Sequence, residues 1–213
     1  MRTLILLLLL ARPAAADDPS DTKLVLIGVA LAPPMYLIGV SLHEGSHALA
    51  AELVGGDATE VHLFPPGIDP KVGKFRFGWV YAQGLRTKSQ KIVFYVAPKI
   101  TDAILLGGLA AVVLTSAWPE NKYGQLVLTV VGTGLWIDFA KDVVLFSPQN
   151  DVVKVFHQWC MRGWKQVPAR LVYAAASAGF GYIVARAYQQ TFFDERLSTT
   201  STPVVFPIVS SRF

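Results

Sequence analysis

Two histidines and a glutamate stand at metal-binding spacing in an otherwise apolar segment, SLHEGSHALAAEL (41–53). On a helix, His43 and His47 are four residues apart and share one face, so both imidazoles can reach one metal ion. Glu44 follows the first histidine directly, which places its carboxylate beside a metal-bound water rather than on the metal. Catalytic zinc sites use this set of groups: imidazoles hold Zn²⁺ and a carboxylate takes a proton from water. The pattern predicts that His43 and His47 bind one Zn²⁺ per chain and that Glu44 is the general base.

A catalytic zinc ion usually has three protein ligands, so a third ligand must come from elsewhere. The extended pattern HExxHxxGxxH is absent, because Ala50 and Leu53 occupy the positions of its glycine and third histidine. Two carboxylates lie nearby in the chain. Glu52 is predicted to point away from the histidine face of the helix, and Glu60 is predicted to belong to the following surface loop.

The remaining candidate ligands are three aspartates in and after a later apolar stretch: Asp138, Asp142 and Asp151. Asp151 follows a proline-containing break at the end of that stretch. Asp138 and Asp142 lie deeper in it, where each could be a ligand, a partner of a histidine or a counter-ion for Lys141. The residue pattern leaves the three alternatives open.

The composition is that of a membrane protein. Of the 213 residues, 53% are hydrophobic and 16% are charged, and the mean hydropathy is +0.43, whereas about 25% charged residues is usual in soluble domains. The net charge of +4 comes from basic residues in short loops between apolar runs, so we expect contact with a lipid bilayer and no binding of nucleic acid. The single cysteine excludes an internal disulfide and a thiolate zinc cage.

Four apolar stretches predict an α-helical polytopic membrane protein with about four transmembrane helices. Each is long enough to span a bilayer: Leu24 to Leu53, Ile92 to Trp118, Leu126 to Phe146 and Leu171 to Tyr188. Between the first two, the segments EVHLF and FRFGWVYAQG are rich in aromatic and β-branched residues. They predict a small β-sheet element in the first cytoplasmic loop.

The chain ends are predicted to differ from this membrane-embedded part. Arg2, the apolar run from Leu4 to Leu10 and the small residues Ala14 to Ala16 predict a signal peptide over residues 1–16. The metalloprotease-like membrane domain would then cover residues 17–190. The Ser/Thr-rich segment 191–213 is predicted to be an irregular C-terminal tail.

The loop charges predict the orientation. The loop between the first and second stretches and the loop between the third and fourth are basic, whereas the intervening loop is nearly neutral. Basic loops remain in the cytoplasm. The HExxH end of the first helix and Asp151 are therefore predicted to lie at the same, cytoplasmic membrane face.

From about Leu24 to Val155 the chain resembles the site-2 proteases, a family of intramembrane zinc metallopeptidases. The HEGSH segment is similar to the HExxH motif of the family's first core helix, and GGDATEVHLFPPG resembles the glycine-led strand that follows it. APKITD resembles the Ala-Gly-Pro-x-x-Asn signature of the second core helix. FSPQND is the segment most similar to the family's Asn-x-x-Pro-x-x-x-Leu-Asp-Gly pattern, which implies that Asp151 is the third zinc ligand. The chain departs from that pattern in lacking Leu-Asp-Gly and in carrying Asp142 in place of the asparagine.

The resemblance implies a zinc-dependent metalloendopeptidase that hydrolyses peptide bonds in or near transmembrane segments of protein or peptide substrates. It would lie in the bacterial inner (cytoplasmic) membrane with its active site toward the cytoplasmic face. Two alternatives remain. The missing Leu-Asp-Gly motif would fit a proteolytically inactive membrane scaffold. Intramembrane His and Asp residues could also line a metal pathway, although no inverted repeat favours a transporter.

Overall fold

A computed structural model describes residues 19–144, 148 and 150–193. The described elements are five α-helices, one 3₁₀ turn and four short strands: α1 (Asp21–Leu53), β1 (Asp57–His62), β2 (Gly67–Asp69), β3 (Lys74–Arg76), β4 (Trp79–Gln83), α2 (Lys88–Val113), α3 (Lys122–Val144), α4 (Asp151–Gln158), the 3₁₀ turn (Gly163–Gln166) and α5 (Val167–Phe192). The predicted signal peptide over 1–16 lies outside the described residues, as does most of the predicted tail.

Three helical segments are long and apolar enough to cross a membrane: Asp21–Leu53, Lys88–Val113 and Gly163–Phe192. Their apolar side chains are largely directed outward, as on α1, where Leu26 and Val29 are both about two-thirds exposed. A helix of this length with an unpartnered apolar surface is suited to lipid rather than to water. The helices thus favour a membrane protein, as predicted.

The remaining long helix, α3, corresponds to the third predicted stretch but is not among these three segments. It packs against α1, α2 and α5, and several of its polar side chains are buried, including Gln125, Thr129 and Asp142. Its polar groups therefore face other helices. The fourth predicted span remains a prediction.

The last helix extends beyond the predicted boundary at residue 190. Thr191 is helical and fully buried. Its hydroxyl donates to the Ala187 carbonyl at 2.8 Å and lies 2.9 Å from the Thr129 hydroxyl. These contacts join Thr191 to the helical domain, and the prediction of an irregular segment from residue 191 is wrong for its first two residues.

The strands form the predicted β element between α1 and α2. β1 pairs antiparallel with β4, and β2 pairs antiparallel with β3. Between β3 and β4 the backbone passes directly over α1 at Gly78, where a Cβ atom would lie 2.6 Å from Val40 Cγ1 and 3.0 Å from Glu44 Cγ. Only glycine permits this approach, which brings the end of β3 to the HExxH face of α1.

Candidate metal centre

Three side chains converge where α1 meets the start of α4. His47 Nε2 lies 3.1 Å from Asp151 Oδ2, and His43 Nε2 lies 3.5 Å from the same oxygen. The three potential ligand atoms all lie within 4.8 Å of one another. His43, His47 and Asp151 therefore form a group that could hold a metal ion. Among the three aspartates left open by the sequence, Asp151 is the one that the structure brings to both histidines.

The second nitrogen of each imidazole is engaged elsewhere. His43 Nδ1 donates to Asp138 Oδ2 at 2.8 Å, and His47 Nδ1 donates to the Phe94 carbonyl at 2.7 Å. A carbonyl oxygen only accepts hydrogen bonds, so His47 Nδ1 carries a proton, and loss of the Nε2 proton would leave a lone pair on Nε2 for a metal ion. Metal-binding histidines usually have this arrangement, in which an outer partner fixes the ring and its tautomer.

A positive charge is required where these three groups meet. Burial of the Asp151 carboxyl would raise its pKa, but the His43 and His47 imidazoles and the Lys154 ammonium group hold that pKa well below its usual value. Imidazole protons on the two Nε2 atoms supply the positive charge that faces Asp151 Oδ2 at 3.1–3.5 Å, and a metal ion that displaced those protons would be shared by the same three groups. Zinc fits this donor set, because tetrahedral ligands at Zn–N and Zn–O distances of about 2.0–2.1 Å are separated by about 3.3 Å.

Asp151 is positioned by the residue before it. Asn150 caps α4, because its Oδ1 accepts from the backbone N–H groups of Val152 at 2.9 Å and Val153 at 3.3 Å. Asn150 Nδ2 donates to Asp142 Oδ1 at 2.7 Å. Asp142 therefore contacts the residue that caps α4, and it does not belong to the group of His43, His47 and Asp151 that could hold a metal ion. An asparagine directly before a helix start is a capping signal that sequence reasoning could have used.

A buried lysine joins these outer partners. Lys99 Nζ donates to the Asp138 carbonyl at 2.5 Å and lies 3.2 Å from a carboxylate oxygen of each of Asp138 and Asp142. Asp102, one helical turn beyond it, is 3.8 Å away. We call Lys99, Asp102, Asp138 and Asp142 the Lys99 cluster. Lys99 and Asp102 are three residues apart on α2, a spacing at which helical side chains meet, whereas the contacts of Lys99 with α3 join two separate elements.

A cavity of about 110 Å³ opens beside the histidines. Its lining includes all four residues of the predicted zinc site and two cations: His43, Glu44, His47, Arg76, Val80, Phe94, Asp151 and Lys154. The Glu44 side chain is largely buried. Among the described residues, its carboxylate has no hydrogen-bond or ion-pair partner. Glu44 is therefore able to accept a proton from a molecule in this cavity.

Glu52 and Glu60, the nearby carboxylates weighed from the sequence, lie outside the centre, as does His62. Glu52 accepts from the Ala58 N–H at 2.8 Å, and Glu60 accepts from the Trp79 indole N–H at 3.1 Å. His62 donates to the Pro65 carbonyl at 2.7 Å. All three make these hydrogen bonds in or next to the β element.

Replacing Asp138 by asparagine is expected to weaken zinc binding about 10–100-fold, because the amide no longer raises the basicity of the His43 ring. Competition with a chelator of known zinc affinity, on detergent-purified protein, measures the change. Asp57→Asn, an exposed substitution at the start of β1, is the matched control and should bind zinc like the wild type. Unchanged affinity in Asp138→Asn would show that the His43–Asp138 contact does not support metal binding.

The site is therefore built from α1, α4 and the loop strand β3, and its outer support comes from α2 and α3. Comparisons of this chain with protein-family models, curated proteins and solved structures found no match.

Proposed function

We propose that this chain is an intramembrane zinc metalloprotease that hydrolyses peptide bonds in or next to transmembrane segments. The observation that carries this proposal is the convergence of His43, His47 and Asp151 on one point, with Glu44 lining the same cavity. A metal site with a purely structural role needs only its ligands. Here the Glu44 carboxylate, which is not a ligand, lines the same cavity, as a catalytic site requires. The resemblance of HEGSH, APKITD and FSPQND to site-2 protease motifs favours the same function.

In this mechanism His43, His47 and Asp151 would hold Zn²⁺. Bound zinc would supply a Lewis acid for the scissile carbonyl and lower the pKa of a water ligand to about 7. Glu44 takes a proton from the attacking water and delivers it to the nitrogen of the leaving amine as the C–N bond breaks. Lys154, whose Nζ lies 2.7 Å from Asp151 Oδ1, fixes the carboxylate so that Oδ2 faces the histidines.

The depth of the site supports action on membrane-embedded substrates. His43 precedes the end of α1 by ten residues, which corresponds to about 15 Å along the helix axis. In the proposed topology α3 is the fourth span and the metal centre lies toward the cytoplasmic face, an orientation supported by the basic loops. The protein would lie in a bacterial inner membrane after removal of residues 1–16.

Metal content tests the site directly. Elemental mass spectrometry of detergent-purified wild-type protein is expected to find about one zinc per chain. His43→Ala and Asp151→Ala remove a ligand each and should lose most of it. His62→Ala removes a histidine of the β element and should retain the zinc. A wild-type protein that keeps its fold but contains no zinc after incubation with it would refute the proposal.

Proteolysis can be tested before any substrate has been identified. Membranes from cells that produce the wild type are compared with membranes from cells that produce Asp151→Ala, after chemical labelling of protein N-termini and mass spectrometry. New N-termini in or beside transmembrane segments are expected only with the wild type. Zinc-loaded wild-type protein that generates none would favour the inactive scaffold, and zinc uptake into liposomes would favour the transporter.

A further inference from the structure

Arg76, at the end of β3, brings a cation into the cavity of the proposed metal centre. Its Nε atom lies 3.2 Å from Asp69 Oδ2. Within the described part of the chain, Asp69 is its only ion-pair partner. Neither Glu44 nor Asp151 pairs with it, although both line the same cavity. The two Nη groups therefore remain available to a ligand.

Asp69 holds the Arg76 guanidinium in place. Its carboxylate is fully buried, and Oδ1 accepts from the Tyr81 hydroxyl and from the backbone N–H groups of Lys71 at 2.9 Å and Val72 at 3.1 Å. Burial would raise the pKa of Asp69, but these hydrogen bonds and the charge of Arg76 hold that pKa below its usual value. Three donors fix Oδ1 of this carboxylate, and Oδ2, which makes no hydrogen bond with the described residues, orients the Arg76 guanidinium by charge alone.

The second cation in the cavity, Lys154, already forms an ion pair with Asp151. Lys154 Nζ contacts Asp151 Oδ1 at 2.7 Å and lies 5.0 Å from the centre of the Tyr95 ring. The two cations, Arg76 and Lys154, face the three carboxylates of Asp69, Glu44 and Asp151, so a bound divalent metal changes the net charge of these groups from −1 to +1. An anion is the complementary ligand, and Arg76 is the cation free to bind it.

Resting on the metalloprotease function proposed above, we propose that Arg76 binds a carboxylate of the substrate beside the scissile bond. A guanidinium group binds a carboxylate through two parallel hydrogen bonds, which adds direction to the charge attraction. The site then selects substrates that carry an acidic side chain or a free C-terminal carboxylate next to the cleaved bond. Arg76 is a specificity-determining residue in this assignment, separate from Glu44 and the metal ligands.

The test uses four small metal-binding probes on zinc-loaded, detergent-purified protein. Each probe is a malonyl hydroxamate joined to one residue: aspartate amide, asparagine amide, alanine free acid or alanine amide. Calorimetry is expected to give at least about 10-fold tighter binding for one of the two carboxylate probes than for its neutral counterpart, as for a charge-assisted hydrogen-bonded pair. Preference for the aspartate probe assigns the subsite to an acidic side chain, and preference for the alanine acid assigns it to a chain end.

Arg76→Gln is expected to abolish this preference while leaving the neutral probes bound as before. Because that change leaves Asp69 buried without its counter-ion, the double variant Asp69→Asn with Arg76→Gln is measured as well and should give the same loss. Lys74→Gln, which removes a cation from the same strand outside the cavity, should keep the preference of the wild type.

Equal affinity of the wild type for charged and neutral probes would overturn the carboxylate subsite and leave the metal centre standing. Equal weakening of all four probes in Arg76→Gln would also overturn it, because Arg76 would then contact the shared hydroxamate. If none of the probes binds the wild type, the metalloprotease proposal fails together with the subsite.

Discussion

Glu44→Gln protein is expected to bind zinc like the wild type and to hydrolyse peptides about 10²–10⁴-fold more slowly. The glutamine side chain has the shape of glutamate but cannot take the proton of water, and general-base catalysis is typically responsible for an effect of this size. Glu44 lines the cavity without joining the group that could hold the metal, so metal content should not change. The measurement pairs elemental mass spectrometry with kcat on a substrate identified by N-terminal labelling.

Glu52→Gln is the matched control for that variant. Glu52 lies on the same helix, is exposed, and accepts a hydrogen bond from the Ala58 N–H. The same chemical change there should leave kcat within about twofold of the wild type, because surface substitutions usually alter little. If Glu44→Gln cleaves as fast as Glu52→Gln, Glu44 is not the base and the proposed mechanism is wrong.

Local patterns in the sequence were sufficient for part of the centre. The spacing of His43 and His47 depends only on helix geometry, and α1 is helical throughout that segment. The choice among the three aspartates required more, because it depends on where the start of α4 lies relative to α1. A hydrogen bond between Asn150 and Asp142, eight residues apart in the chain, joins the start of α4 to α3.

Helix limits show a similar division between local and tertiary causes. The second apolar stretch predicts a span from Ile92 to Trp118, whereas α2 covers Lys88–Val113. Its polar first turn is helical because Thr87 and Gln90 form a capping box, which a search for apolar residues passes over. The apolar residues after Val113 lie outside the helix, so hydrophobicity indicates burial or lipid contact more reliably than it indicates helix ends.

The contribution of Arg76 to the cavity was not predictable from its neighbours in sequence. It depends on the close passage of Gly78 over α1 and on the pairing of β2 with β3, which places Asp69 opposite Lys74 and near Arg76. The Gly78 approach and the strand pairing are both contacts between segments that are separate in the sequence. Counting the charges of the loop shows that it is basic but does not show which of its residues reaches the cavity. The loop was therefore predicted to set the orientation of the protein, but not to supply a residue to the site.

Lys99→Met is expected to destabilise the folded protein by about 3–5 kcal/mol and to cause loss of zinc at metal concentrations that saturate the wild type. Lys99 is 5% exposed and is the buried cation of the Lys99 cluster, so its removal leaves buried carboxylates uncompensated. Asp138 and Asp142 would then separate or take up protons. Because Asp138 holds the ring of His43 and Asp142 holds the cap before Asp151, two of the three metal ligands would lose their support.

Lys141→Met provides the matched comparison, since Lys141 also pairs with Asp138 but its side chain is 40% exposed. An exposed pair of this kind contributes about 1 kcal/mol or less, so this variant should unfold close to the wild type and keep its zinc. Thermal unfolding in detergent, recorded with and without added zinc, separates the two effects: lost stability appears in both conditions, whereas lost metal support removes the zinc-dependent increase in Tm. If the two lysine variants behave alike, burial of Lys99 does not stabilise the centre, and the contacts of the ligands with Phe94, Asp138 and the Asn150 cap are sufficient without it.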